Sequence, residues 1–406
     1  MPHTRLVYEG HEADAPWRAR AAERIDRLRK GDLSVTVAGA DGRPLAGAQV
    51  QVQMTRHAFS FGTAVVAKSL ADPEFDPRYR QTIETWFNEV VFENDLKWVN
   101  HGTGDPGDIA AAMSWLKARG MGVRGHVLVW PGWEWLPEDL PALESKPDEL
   151  RRRVGQRIRD AAGTHRGQID DWGVVNEPFN NVALMDILGK EVMLDWFKLA
   201  READPDAKRY INDWGILTSG GNDINHQNNY YDWIDFLVKN DAPLDGIGMQ
   251  GHFGATLTPP ERLLEILDRF AGFGKQIKIT ELDIVLSDEE LRGDYMRDFL
   301  TTVFSHEAVD GVLQWGFWAG HHWKPEAAPF DADWNLKPHG QAWKDLVLGE
   351  WWTDQALVTD ERGRAAVRGF NGNYRVTATH GSRTVTAQTT LTREGMEIEL
   401  SFGEPD

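Results

Sequence analysis

Two glutamates each follow an apolar run, and a carboxyl group in that position is placed for chemistry. Glu177 lies in Ile169-Asp170-Asp171-Trp172-Gly173-Val174-Val175-Asn176-Glu177-Pro178, and Glu281 in Lys275-Gln276-Ile277-Lys278-Ile279-Thr280-Glu281-Leu282-Asp283. Runs rich in β-branched residues read as buried parallel strands. A carboxylate is almost never buried without a partner, so each glutamate is either paired or working. Two carboxyl groups that face one sugar from different parts of a fold are what glycoside hydrolysis requires. The plain alternative is a pair of structural glutamates hydrogen-bonded at strand mouths. The residues around them favour chemistry.

The elements that must position them alternate along the chain. Strand candidates fall near Phe59–Ala64, Val90–Phe92, Val123–Val129, Asp171–Val175, Arg209–Asn212, Gly246–Gln250, Ile277–Thr280 and Val312–Trp315. Between them lie segments of helical period, such as Ile109–Arg119, Leu150–Ala162, Pro260–Phe273 and Glu289–Phe304, with a last one near Gln341–Leu348. This alternation predicts an α/β chain folded as a (β/α)8 TIM barrel, with parallel strands and right-handed crossovers. A doubly wound open sheet would want a glycine-rich phosphate loop after its first strand, and there is none. In a barrel Glu177 would end strand 4 and Glu281 strand 7, across the mouth from each other.

The two ends of the chain have a different texture. Asp14 as N-cap, Pro16 in the first turn and Gly31 as stop predict a helix over 14–30. Leu33, Val35 and Val37 alternate, Asp41-Gly42 makes a turn, and Val50, Val52 and Met54 alternate again. Residues 356–402 are short β runs punctuated by turns, too few for a comfortable sandwich alone. The expected organisation is an N-terminal helix and strands (1–56), a catalytic barrel (57–352) and C-terminal strands (353–406). The last complete a small β-sandwich with residues 32–56. Ala40 to Ala48 and Arg368 to Tyr374 resemble segments of prealbumin-like, carboxypeptidase-regulatory-type modules.

Composition excludes several function classes. The net charge of −19 argues against nucleic acid. There are no cysteines, so disulfides, thiolate metal sites and cysteine nucleophiles are ruled out. Adjacent His321 and His322 lack carboxylate partners nearby, so no metal and no cofactor is expected. No stretch approaches about 18 apolar residues, and no membrane association is expected. The first residues show no apolar signal-peptide core. An intracellular place is expected if Met1 is the natural start, and a secreted or periplasmic one if a leader has been removed. A monomer is expected. Eighteen tryptophans, many beside Gly, Pro or polar residues, suit platforms for sugar rings, while Trp86 and Trp115 look like helix packing.

Motifs at successive strand ends, from strand 2 to strand 8, resemble glycoside hydrolase family 10, the xylanase family. Asn176-Glu177-Pro178 and Thr280-Glu281-Leu282-Asp283 look like its acid/base and nucleophile motifs. Glu93-Asn94-Asp95-Leu96-Lys97-Trp98 is similar to its strand-2 motif, which implies that Glu93, Asn94 and Lys97 hold sugars on the non-reducing side. His126 and Trp130 match strand 3, at the subsite of the cleaved sugar. Asn212 matches strand 5, Gln250 and His252 match strand 6, and Trp315 and Trp323 match strand 8 and its loop.

The resemblance implies a retaining mechanism on a β-linked polysaccharide or oligosaccharide such as xylan, through a covalent glycosyl-enzyme, with carboxyl groups about 5–5.5 Å apart. Glu177 would be the acid/base with a raised pKa and Glu281 the ionised nucleophile. His252, backed by Asp283, would hold Glu281, and Asn176 would hydrogen-bond the sugar 2-hydroxyl.

The chain departs from the family at Pro131-Gly132-Trp133-Glu134-Trp135 and at Trp315-Gly316-Phe317-Trp318-Ala319-Gly320-His321-His322-Trp323. Bulk from Trp318, His321 and the 133–135 segment is expected to line the non-reducing side and favour short or substituted substrates. Another or decorated β-glycan cut by the same mechanism, possibly from chain ends, is one alternative. A non-catalytic carbohydrate-binding barrel is the other.

Overall fold

A computed structural model describes residues 7–99 and 105–403. By its contacts the chain divides into two compact units. One holds Phe61–Val303 and Ala308–Ala342 with the segment ending at Ala13, and the other holds Asp14–Ser60, Phe304–Glu307 and Trp343–Asp406.

The first unit is a closed barrel of eight parallel strands: Ser60–Val65, Glu89–Phe92, Gly122–Gly125, Asp171–Asn176, Lys208–Asp213, Gly246–Phe253, Gln276–Ile284 and Val309–Gln314, neighbours in sequence order. We number them barrel strands 1 to 8. Helices follow each strand, and many start at a proline, whose missing N–H and fixed φ suit a first turn. Pro77, Pro106, Pro147, Pro260 and Pro338 all begin helices. Asp76, Asp105 and Asp223 cap theirs by accepting backbone N–H groups.

Register brings the chemistry together. Asn176 pairs with Asn212 between strands 4 and 5, while Gln250 pairs with Glu281 and His252 with Asp283 between strands 6 and 7. Both strands that lead to a glutamate also slip register just before it. Strand 4 passes over Val174 between Gly173 and Val175, and strand 7 passes over Thr280 between Ile279 and Glu281. A strand alternates sides with period two, so Lys278 and Glu281, three apart, should face opposite ways. The bulge at Thr280 removes that conflict. Lys278 meets Glu89 and Asp171, and Glu281 meets Asn212, all inside the barrel.

The floor beneath these residues is not the apolar layer that the strand runs suggest. Lys278, 5% exposed, donates to Glu89 Oε1 at 2.7 Å and to Asp171, which also accepts from buried Arg124. Bulk is matched to glycine on the neighbouring strand: a Cβ at Gly125 would lie 2.1 Å from the Trp172 ring and one at Gly246 2.1 Å from the Tyr210 ring.

In the second unit the helix runs Pro16–Arg29 and passes directly into the strand Lys30–Ala38. Its N-cap is Ala15 without a side-chain cap, not Asp14, and Gly31 does not stop it but lies in the strand. A Cβ at Gly31 would sit 1.9 Å from the Thr392 carbonyl oxygen, so the glycine serves a close backbone approach. Lys30–Ala38 lies between Arg364–Phe370 (antiparallel) and Met396–Ser401 (parallel). A second sheet has the order 354–358, 49–57, 372–380, 383–391, all antiparallel. The two sheets, built from both ends of the chain, form a sandwich. Leu33, Val35, Val37, Val50, Val52, Val376 and Ala378 are buried in it.

Candidate active site

Glu281 is 4% exposed and receives two side-chain hydrogen bonds, from Asn212 Nδ2 to Oε1 at 2.9 Å and from His252 Nε2 to Oε2 at 3.1 Å. Burial opposes its ionisation and is the largest influence. The His252 bond and the charges of His252 and Lys97 outweigh it, so the carboxyl sits below its ordinary range. His252 owes its own state to Asp283, whose Oδ2 lies 2.8 Å from Nδ1. Burial alone would lower the histidine, but the hydrogen bonds and charges of Asp283 and Glu281 push it up to about 9. It is therefore an imidazolium at neutral pH, donating to one carboxylate from each nitrogen. Asp283 Oδ2 also accepts from Trp323 Nε1 at 2.7 Å.

Glu177 is in the opposite state. Burial first, then the nearby charges of Glu281 and Asp213, push its pKa up to about 7, against the lowering effects of a Gln250 hydrogen bond and His252. Gln250 Nε2 donates to its Oε1 at 2.8 Å. Its backbone has φ +53°, a left-handed conformation that costs a side-chain-bearing residue about 1–2 kcal/mol. Three groups hold it there: its N–H donates to Asn212 O at 2.8 Å, and Asn181 returns to its carbonyl from N at 3.2 Å and Nδ2 at 3.1 Å.

The structure gathers most of the residues expected from sequence. Asn176 is fully buried. Its Oδ1 accepts from Asn212 at 2.8 Å, while its Nδ2 has no hydrogen-bond partner among the described residues. A buried donor left open is a costly arrangement unless something else fills it, which suits a sugar hydroxyl. Asn212, expected as a sugar ligand, hydrogen-bonds three protein neighbours. Its amide serves Asn176 and Glu281, and its oxygen accepts from Thr280 at 2.6 Å.

Lys97 donates to Asn94 Oδ1 at 2.9 Å, and its Nζ lies 5.4 Å from the Trp130 ring centroid. Burial lowers it, while Glu281, Glu93 and Glu177 pull the other way. Glu93 is raised, chiefly by burial. His126 is held neutral, its pKa pushed down to about 3 mainly by burial, with its ring edge-on to Trp130 and Trp315. Trp315 is buried in a cluster with Ala64, Val91 and Leu313, forming wall and not platform. Trp323, 50% exposed, stands edge-on to His252 with the Lys324 ammonium 3.9 Å from its ring centroid.

The segments that depart from the family are packed against their neighbours. Trp318 stacks on Trp334 (5.0 Å, 11°), meets Phe75 and His321 edge-on, and donates to Ala332 O. His321 Nε2 lies 3.0 Å from Ser69 Oγ. These contacts hold both side chains against Phe75 and Ser69, in the segment that follows strand 1. Trp135 lies flat on Trp130 (3.7 Å, 9°), covering one face of that indole. Among the described residues no group of three His, Asp or Glu could hold a metal ion.

Sequence reasoning missed one side of the cleft. A pocket of about 330 Å³ is lined by Glu177, Asn180, Trp214, Gly215, Thr218, Gln250, His252 and Trp323. Trp214 is 38% exposed, its Nε1 donating to Asn180 Oδ1 at 3.3 Å. The signal was available in Asn212-Asp213-Trp214, where an indole follows two polar residues at a strand end.

Comparison with known proteins agrees with this geometry. The family model for glycosyl hydrolase family 10 matches residues 51–346. The anti-sigma-I factor RsgI6 of Acetivibrio thermocellus is 33% identical over 89% of this chain and 47% of its own length. Endo-1,4-beta-xylanase 1 of Arabidopsis thaliana is 27% identical over 86% of this chain and 36% of its own. The chain thus spans about half or less of the length of these relatives. Among solved structures, xylanase 10B of Thermotoga petrophila in complex with xylobiose aligns with a TM-score of 0.65 at 25% identity. The match covers 72% of this chain and 95% of that one. The chain belongs to glycosyl hydrolase family 10.

Proposed function

We propose that the chain is a retaining glycosidase that cleaves β-1,4-linked xylan or xylo-oligosaccharides by double displacement. The observation that carries this reading is the opposite state of two carboxyl groups in one cleft. Glu281 is held ionised by two donors, and Glu177 is held protonated by burial near neutral pH. Environments that push two carboxyl groups apart assign their roles.

In the first step a Glu281 oxygen bonds to the anomeric carbon as the bond to the leaving oxygen breaks, and the Glu177 proton passes to that oxygen. In the second, Glu177, now ionised, takes a proton from water, and the water oxygen displaces Glu281 from the same carbon. The two inversions return the original configuration. His252 and Asn212 keep Glu281 aimed, and the open Nδ2 of Asn176 is the donor for the 2-hydroxyl, a bond that strengthens in the transition state. Exposed Trp323 and Trp214 supply apolar faces for sugar rings.

Xylan as substrate is supported by the relatives named xylanases and by the xylobiose bound to one of them. One relative is named as an anti-sigma-I factor and not as a hydrolase, so a second reading, a barrel that binds glycan without turnover, stands beside the first.

Hydrolysis of xylan, glucan and aryl glycosides side by side, with nuclear magnetic resonance of the first-formed product, tests both. The expected result is turnover of xylan with a β-anomer as first product. An initial α-anomer would overturn the mechanism, and binding of xylan without any hydrolysis would favour the second reading.

A further inference from the structure

Asp213, the last residue of strand 5, is a fully buried carboxyl that the two-step mechanism does not use. Its Oδ1 accepts from Trp214 N at 2.9 Å and its Oδ2 from Phe179 N at 3.2 Å. Phe179 lies two residues beyond Glu177, in the turn that carries the left-handed backbone of the acid/base. His226 reinforces the same point: its ring stacks on Phe179 (3.7 Å, 15°), and its Nε2 lies 3.2 Å from Asp213 Oδ1. One buried carboxylate and one buried imidazole thus grip both the backbone and the ring of Phe179.

Only an acceptor on both oxygens fits two converging N–H groups; an amide would present its own N–H₂ to one of them. The charges that face Glu177 come from four elements: Asp213 on strand 5, Glu281 on strand 7, His252 on strand 6 and Lys97 after strand 2. Burial raises the Asp213 carboxyl, while His226, with Asp223 3.9 Å beyond it, and the N–H groups of Trp214 and Phe179 favour its ionised form; the Tyr230 phenol also faces it.

We propose that Asp213 is a positioning residue for the acid/base: its carboxylate pins the turn that carries Glu177, and its negative charge keeps the Glu177 proton in place until a glycosidic oxygen takes it. This rests on the reading of Glu177 as the acid.

The test is the pH dependence of kcat/KM for an unactivated xylo-oligosaccharide in Asp213→Asn, Glu177→Gln and the unaltered enzyme. Asp213→Asn should move the basic limb down by about half a pH unit, because a neighbouring negative charge is gone. It should also cost about tenfold on the oligosaccharide but within about twofold on an aryl xyloside with a good leaving group, which needs little acid help.

Equal losses on both substrates with an unmoved limb would be purely structural damage and would overturn the proposal. In Glu177→Gln the limb should vanish; if it persists, the assignment of the acid fails, whatever Asp213→Asn does. A limb that vanishes there but stays fixed in Asp213→Asn sinks the Asp213 proposal alone. A second measurement needs no variant. In the ¹³C-carboxyl-labelled enzyme Asp213 must be ionised across the range in which Glu177 titrates, and a protonated Asp213 there contradicts the proposal even if Asp213→Asn does not fold.

Discussion

At the scale of single residues, Glu177 and Glu281 are the same side chain made different by what surrounds them. Burial acts on both, but only Glu281 has an imidazolium and an amide aimed at it. The consequence is a pH profile with its sign fixed. In the proposed mechanism the first step needs Glu177 protonated, so kcat/KM should fall as pH rises through about 7, the value to which burial lifts this carboxyl. It should also fall on the acid side only below the usual carboxylate range, where Glu281 takes up a proton. His252, raised to about 9, keeps its charge throughout and sets neither limb. A profile measured on unactivated xylo-oligosaccharide with its basic limb near the ordinary glutamate range would contradict this account of Glu177.

These two residues were legible in sequence because each is a polar interruption at the end of an apolar run. The service of Asn212 to its neighbours was not, since nothing local tells an amide that binds sugar from one that binds Asn176 and Glu281. Asp213 was equally silent, its partners lying at Phe179 and His226.

At the scale of elements, what positions the site is a pair of bulges above a charged floor. Strand 7 was recognisable from Ile277 and Ile279, but its alternation also carries Lys278 inward, onto Glu89 and Asp171 from far along the chain. Such a lysine reads locally as the solvated face of a strand, and only the closed barrel supplies its counter-charges. Removing one member of a buried ion cluster leaves the others uncompensated. Lys278→Ala should therefore lower unfolding free energy by about 3–5 kcal/mol, read from urea denaturation. A loss under about 1 kcal/mol would mean that the cluster is solvated and does not support the site.

Loop packing was the least legible of all. Trp318 meets Trp334 and Phe75, 16 and 243 residues away, and although a closed barrel sets the loops after strands 1 and 8 side by side, no local pattern names which of their side chains meet.

At the scale of the molecule, the chain is a family 10 barrel within a sequence whose ends build a separate sandwich. The sandwich was foreseeable because Leu33, Val35, Val37 and Val50, Val52, Met54 alternate with no local partners, and the C-terminal runs had the same deficit. Its boundaries were less so: Trp343 lies within a helix that follows the last barrel strand, and Phe304–Glu307 at and just past the end of another, yet both belong to the sandwich unit by contact. The formal charge of −19 is not carried into the centre of the cleft, where Lys97 and His252 face Glu177 and Glu281.

Under the proposed mechanism two carboxyl groups in that cleft divide the labour. The most direct measurement is the rate at which Glu177→Ala and Glu281→Ala hydrolyse one aryl xyloside with a good leaving group, each relative to xylan, with formation of the glycosyl-enzyme followed by the release of the phenol. Glu281→Ala should be inactive on both, because no glycosyl-enzyme can form. Glu177→Ala should lose about 10²–10⁴-fold on xylan while releasing the first phenol at close to the unaltered rate. Equal loss by both variants on the aryl xyloside would contradict the account.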